Sequence, residues 1–332
     1  MEKDPGQSWK TAVQAWYPLN LLQRIKTRVL MPQTWQILAM EVAALWVIFA
    51  FFLPGGDDLY RYYQPFQHGC STCGFVPPFA HWFLWLLDVL PAYPLTWPSW
   101  TLLSVIAWLV LVRWTKVNPL LLMASFPLMG QLWLGQVDWL VAAGLVIFWL
   151  AKHPALRGAG ILLALIKPQL SALAILMLLL QEKPANIARI LTLPAAGFLL
   201  SLWQFGLNWP VQWLLGASAA VPLHQWRLAG MDTWLIGIFF IWLPLLFREP
   251  KQRLVASLLV SSLATPFFGV YSYVVFLVLF LPWWAVPLSY FWVITSPWLG
   301  YNAMRLAWVL PLSLLAWLYV NREHLTKSLE IA

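Results

Sequence analysis

The sequence predicts an all-α integral membrane protein, a polytopic bundle of about 12 (10–13) transmembrane helices. Three observations predict it. Of 332 residues, 61% are hydrophobic and only 10% charged, against roughly a quarter charged in an ordinary globular domain. Mean hydropathy is +0.72. Apolar runs recur along almost the whole chain, with basic residues between them. A water-soluble fold would have no surface to present. That excludes a cytosolic enzyme, a secreted disulfide scaffold and a nucleic-acid binder. The net charge of +8 reports loop topology in such a chain, because Lys and Arg concentrate on the cytoplasmic side of membrane proteins.

The first segment, residues 1–34, mixes Trp9, Trp16, Tyr17 and leucines with Lys and Arg. It reads as a cytoplasmic amphipathic helix on the anionic inner leaflet. It carries no small-residue cleavage site, so the run 36–53 is expected to act as an uncleaved anchor. Residues 35–332 form one transmembrane domain, with a first outer loop at 54–96. Further apolar runs fall near 97–112, 117–131, 136–151, 158–180, 190–204, 232–247, 254–281, 285–296 and 303–320. About 20 apolar residues cross the bilayer as one helix. Lys167-Pro168 interrupts the run 158–180, and Thr265-Pro266 interrupts 254–281. Each is expected to be two short helices meeting at a turn. The stretch 78–91 does not fit as a simple span and reads as re-entrant or interfacial.

Sixteen of the 20 Lys and Arg fall in six clusters: the N-terminus, Arg113/Lys116, Lys152/Arg157, Lys183/Arg189, Arg248/Lys251/Arg253 and Arg322/Lys327. With all six cytoplasmic, two crossings separate each from the next, and both termini lie inside. Arg61, Lys167, Arg227 and Arg305 stand off that side. Asp57, Asp58 and Asp232 fall outside, and Glu41, Asp88 and Asp138 fall in or near spans. Charge at membrane depth is costly and marks a functional candidate, although basic side chains near helix ends also snorkel to the interface. Trp97, Trp100, Trp283, Trp284 and Trp298 flank spans, where aromatic belts belong.

Gly55-Gly56-Asp57-Asp58-Leu59-Tyr60-Arg61-Tyr62-Tyr63 opens the outer loop. On a helix starting near residue 57, Asp58, Arg61 and Tyr62 share one face. A carboxylate so placed can accept a proton from an attacking hydroxyl. The same spacing equally suits an Asp N-cap with a structural ion pair. Cys70 and Cys73 could close as a local disulfide on an oxidising face. With His68 and His81 they lack the paired spacing of a metal site, so neither metal nor cofactor is expected. Pro77-Pro78-Phe79 leads into the ambiguous helix, with Pro tolerated in a first helical turn. Gln136 and Asp138 are polar groups at membrane depth. Pro168 disfavours helix at Lys167, and non-helical backbone at that depth needs protein or a watery cavity around it. Lys167 is therefore expected to face a cavity, where a cation suits a phosphate.

Taken in order, Asp58-Leu59-Tyr60-Arg61-Tyr62-Tyr63, Pro77-Pro78-Phe79, Gly135-Gln136, Gly158 to Pro168 and Ser262 to Tyr273 resemble glycosyltransferase family 87. These are the polyprenol-phosphate-mannose-dependent mannosyltransferases of the GT-C membrane fold. The matching stretches span about two-thirds of the chain. The resemblance implies a transferase that takes mannose, or another hexose or pentose, from a polyprenyl-phosphate donor and gives it to an extracytoplasmic lipid or glycan acceptor. It implies Asp58 as catalytic base, with Asp57 as the neighbouring alternative, and Lys167 at the family's Lys-Pro position. Arg61, Arg227 and Arg305 would assist Lys167 on the donor phosphate. Tyr62, Gln136, Asp138, Gln169 and Tyr271 would contact substrate. The outer segment 205–231 with His224, and nearby Asp232, would face the acceptor, or would be a loop anchored by Trp209, Trp213 and Trp226. Expected partners are the donor, the acceptor and membrane lipids, and the expected location is the bacterial plasma membrane. A transporter or lipid flippase, and a non-catalytic scaffold of the same fold, are the competing readings.

Overall fold

A computed structural model describes residues 32–70, 76–220, 237–265 and 268–323. The N-terminal amphipathic segment therefore lies almost wholly outside the described residues. Those residues are helical, with no strand among them.

Four helices are long and apolar enough to cross a membrane: Thr34–Phe52, Thr96–Thr115, Pro184–Phe205 and Asn302–Val320. The first belongs to α1 (Pro32–Phe52). A π-helical turn, Leu59–Tyr63, follows and runs into α2 (Gln64–Gln67). The stretch 78–91 is no span. It breaks into 3-10 turns around the four-residue α3 (His81–Leu84). The second long helix is α4 (Thr96–Thr115).

Most other apolar runs are interrupted, which is why about twelve full-length helices are not found among the described residues. The run 117–131 divides at Ala124-Ser125 into α5 (Pro119–Met123) and α6 (Phe126–Leu134). The run 136–151 becomes the 13-residue α7 (Asp138–Leu150). The two Pro breaks fall where expected. Residues 158–180 divide into α8 (Pro154–Ala164) and α9 (Pro168–Leu179). Next come α10 (Pro184–Phe205) and α11 (Trp209–Ala220). The described part of 232–247 holds only short 3-10 turns. Then α12 (Pro250–Ala264) ends before Thr265, and a 3-10 turn, Val270–Tyr273, leads into α13 (Val274–Leu277). The run 285–296 splits into α14 (Ala285–Ser289) and α15 (Phe291–Leu299). Finally a 3-10 stretch, Gly300–Trp308, joins α16 (Val309–Val320).

The half-length helices form the centre. Helix α7 packs on α8, α8 on α10, α9 on α12, and α12 on α16. Helices α7 and α8 meet through glycines. A methyl group on Gly144 would stand 2.5 Å from the Ala164 nitrogen and 2.6 Å from the Gly160 carbonyl oxygen. Two helix backbones approach that closely only where side chains are absent.

The basic clusters gather at one end. Lys251 Nζ donates to the Thr115 carbonyl at 3.2 Å and lies 5.7 Å from the Trp149 ring centre. Arg157 pairs with Glu182 at 2.7 Å. Gln181 Nε2 donates to the Arg248 carbonyl at 3.0 Å, and Gln252 Nε2 to that of Arg322 at 3.2 Å. Segments far apart in sequence thus bring their Lys and Arg to a common face.

The belt reading divides. Trp283 and Trp298 are largely exposed, as belt residues are, but Trp97 and Trp100 are buried. Each of the latter carries one N–H, and each delivers it inward. Trp97 Nε1 donates to the Leu132 carbonyl at 3.0 Å and Trp100 Nε1 to that of Gln136 at 3.2 Å. A buried indole needs such a partner, so these two hold structure and do not anchor the chain at an interface.

Candidate functional site

The site assembles where the first polar loop meets the two helix breaks. Helix α6 ends in a Schellman motif: the Gly135 N–H reaches the Leu132 carbonyl and the Gln136 N–H that of Gln131. Gly135 has φ +71, the left-handed conformation that this motif favours and glycine adopts freely. Its Cα–H face also lies against the loop, since an added methyl would be 2.7 Å from Leu59 Cβ. Gly56, with φ +76, donates its N–H to the Trp133 carbonyl at 2.7 Å. These two glycines bring the Asp58 turn down onto Gln136.

Gln136 is the hub. Its Nε2 donates to Asp58 Oδ2. Its Oε1 accepts from Tyr63 OH at 2.6 Å and from Lys167 Nζ at 2.6 Å. Its backbone carbonyl accepts from Trp100 and, at 2.9 Å, from Gln131 Nε2. Gln131 Oε1 in turn accepts from Trp108 Nε1 at 2.9 Å. Every polar group of the Gln136 side chain is occupied, as burial requires.

Lys167 continues the chain. It sits between α8 and α9 with φ −132 and ψ 79, a non-helical conformation consistent with the proline that follows it. Its ammonium meets Asp138 Oδ1 at 2.5 Å, and the side chains are 6% and 0% exposed. Asp138 Oδ2 accepts from Ser272 Oγ at 2.6 Å. The Tyr63 and Tyr271 rings flank the ammonium, their centres 5.6 and 5.7 Å away. One unbroken path of hydrogen bonds thus runs Asp58–Gln136–Lys167–Asp138–Ser272.

Asp58 is the half-buried end of this path. It begins the π turn yet makes no side-chain cap, so the capping role that its spacing allowed is not the one it plays. Burial pushes its carboxyl from 3.8 up to about 6. Asp57 and Asp138 add to the rise, while the Lys167 charge and the Gln136 hydrogen bond oppose it. Around neutral pH the group is ionised but basic enough to take a proton.

The helical start expected near residue 57 is present, but Asp58 does not pair with Arg61. Arg61 Nε pairs with Asp57 Oδ1 at 2.8 Å, with both side chains well exposed. Adjacent residues of a helical turn project about 100° apart, so the two acids diverge, Asp57 outward to Arg61 and Asp58 inward to Gln136. The phenol brought into the cluster is that of Tyr63, while Tyr62 stays half-buried beside it. Gln169 lies in the first turn of α9, and its Oε1 is buried without a hydrogen-bond partner. Arg305, half-buried on the 3-10 stretch 300–308, lies outside the hydrogen-bonded path. His224, Arg227 and Asp232 fall outside the described residues.

Tyr63 and Ser272 were not singled out from sequence. Their signal was only positional: both stand beside residues that were. Among the described residues no three His, Cys, Asp or Glu side chains come together as a metal site would need. His81 stacks on Phe66 at 4.3 Å and meets Gln67 Oε1 at 3.0 Å. Cys70 is disulfide-bonded, while Cys73 lies outside the described residues.

Fold and site together are compatible with one class, a helical membrane protein with a buried polar centre. No family model, no curated protein and no solved structure matches the chain.

Proposed function

We propose that the chain is a polytopic, GT-C-like membrane glycosyltransferase of about twelve helices, acting on the extracytoplasmic face of a bacterial plasma membrane. It would move mannose or another sugar from a polyprenyl-phosphate donor to a lipid or glycan acceptor. The observation that carries this reading is Asp58, a half-buried carboxylate that neither caps a helix nor pairs with a surface cation, wired through Gln136 to a buried lysine. Asp58 accepts the proton of the acceptor hydroxyl as its oxygen attacks the anomeric carbon. The bond from that carbon to the phosphate oxygen breaks from the opposite face, which inverts the configuration. Polyprenyl phosphate leaves with the electron pair.

Lys167 has three N–H donors. Two serve Gln136 and Asp138, and the third serves a phosphate oxygen. Asp138 offsets the lysine charge, so the leaving phosphate needs a second cation, and Arg61 is the nearest in sequence to the catalytic base. The unpartnered Gln169 Oε1 accepts from a sugar hydroxyl. The test is transfer from a radiolabelled polyprenyl-phosphate sugar in proteoliposomes. Asp58→Asn should lower turnover by roughly 10²–10⁴-fold, the span ascribed to general base catalysis, while Asp57→Asn should act weakly. Turnover within threefold of wild type in Asp58→Asn would remove Asp58 as the base.

The buried Lys167–Asp138 pair beside interrupted helices also favours a second reading, an ion-coupled transporter. That reading requires solute accumulation in sealed vesicles with no sugar transfer.

A further inference from the structure

Away from the Asp58 centre, at the basic end of the bundle, a cavity of about 550 Å³ opens between α1, α4 and α5. Met40, Leu109, Val112, Val117 and Pro119 line its apolar part, and Gln36, Arg113 and Lys116 its polar part. No carboxylate is among the described residues that line it. Arg113 and Lys116 are exposed and form no ion pair among the described residues. A third cation, Lys251, reaches the carbonyl of Thr115, the residue before Lys116. Lys116 itself holds φ +60 at the end of α4, and Val117 and Pro119 beyond it also line the cavity.

The cavity does not end at these cations. On α4 the exposed side chains Ile106 and Val110 lead away from Arg113, and on α1 Ile37 and Met40 do the same. The arrangement is amphipathic along the helix axis: cations and an amide at the end of the bundle, then aliphatic surface toward its middle. A free anion would use only the first part, whereas a lipid with a phosphate head uses all of it.

We propose that this cavity binds an anionic phospholipid of the cytoplasmic leaflet. Arg113 and Lys116 hold its phosphate, Gln36 its glycerol or head-group hydroxyl, and one acyl chain lies along α1 and α4. The site is independent of glycosyl transfer and requires only that the basic end face the inner leaflet, where anionic lipid concentrates.

The test uses the full-length protein in a neutral detergent, titrated with phosphatidylglycerol and followed by native mass spectrometry. Wild type should retain phosphatidylglycerol and not phosphatidylcholine. Arg113→Gln with Lys116→Gln should lower phosphatidylglycerol affinity about 30-fold, and Lys116→Gln alone about fivefold, the effect of roughly one cation each near a lipid head. Arg189→Gln, in a different basic cluster on α10, should stay within twofold. Inorganic phosphate at millimolar concentration should not displace the lipid. The proposal is overturned if the Lys116→Gln protein keeps wild-type affinity. It is overturned equally if Arg189→Gln loses as much, which would mean diffuse charge, or if free phosphate competes, which would mean a simple anion site.

Discussion

Replacing Asp58 by Asn should make the folded protein more stable at neutral pH, even though Asp58 belongs to the candidate site. The carboxyl lies in the first polar loop, outside the spanning helices, and burial raises it from 3.8 to about 6. The linkage runs in a definite direction. Below pH 4 both folded and unfolded chains hold the proton, and the group is neutral in each. As pH rises from about 4 to 6 the unfolded chain ionises first, so the unfolded state gains and stability falls. Above pH 6 both are ionised, and the penalty is constant at about 3 kcal/mol, one pKa unit being worth about 1.36 kcal/mol. Asn resembles the protonated carboxyl and still offers an oxygen to Gln136 Nε2. The variant should therefore gain as much as about 3 kcal/mol at pH 7.5 and about nothing at pH 4. Unfolding in mixed micelles with rising dodecyl sulfate, followed by tryptophan fluorescence at both pH values, measures it. An Asn variant that is less stable than wild type at pH 7.5 would refute the burial argument, and so would a gain that is equal at both pH values.

Two further outcomes follow from the buried pair and the glycine contact. Asp138→Asn leaves the Lys167 ammonium without its counter-charge and should cost about 3–5 kcal/mol. Adding Lys167→Met should recover most of that loss, and single and double variants that simply add in the same micelle assay would show that the pair is not coupled. Gly144→Ala puts a methyl 2.5 Å from the Ala164 nitrogen. Over-packing of this kind costs about 1–3 kcal/mol. It should also part α7 from α8, and with them Asp138 from Lys167, so wild-type stability in this variant would contradict the close approach.

The breaks at Lys167-Pro168 and Thr265-Pro266 were legible in sequence because proline acts locally: it restricts the residue before it whatever surrounds it. The same local logic identified Gln136, Asp138 and Lys167 as polar groups too costly to leave idle in an apolar run. Their mutual partners were not legible. That Tyr63 reaches Gln136 depends on how Gly56 and Gly135 seat the loop against residues 132–136, which helical spacing alone cannot anticipate. The pairing of Asp57 with Arg61 is an ordinary i,i+4 contact. Trp97 and Trp100 read as interface residues because composition near a helix end is alike for a belt and for a buried donor. Only the carbonyls of Leu132 and Gln136, more than 30 residues on, tell them apart. How each apolar run is divided was not legible, because hydropathy measures apolar length and does not register turns such as Ala124-Ser125 that divide a run without a charge.

The position of the polar centre across the bundle follows from three helices that measure it independently. From Asp138 the 13 residues of α7 lead to the basic end beside Lys152, a rise of about 20 Å. From Lys167 the 12 residues of α9 lead to Glu182 and Lys183, about 18 Å away, and the 11 residues of α8 climb about 16 Å from Arg157's end to the break. All three begin or end at residues tied to one another by hydrogen bonds, so they cannot differ in depth by chance of register. If the basic face marks the cytoplasmic boundary, the Lys167–Asp138 pair lies more than halfway across a core of roughly 30 Å. Asp58 then stands beyond it, toward the opposite water. A lipid-borne phosphate would reach that depth only by leaving its own interface, whereas a sugar acceptor would arrive at Asp58 directly. The proposed transfer therefore requires the donor phosphate to leave its interface and descend to Lys167, while the acceptor stays at Asp58 near the water.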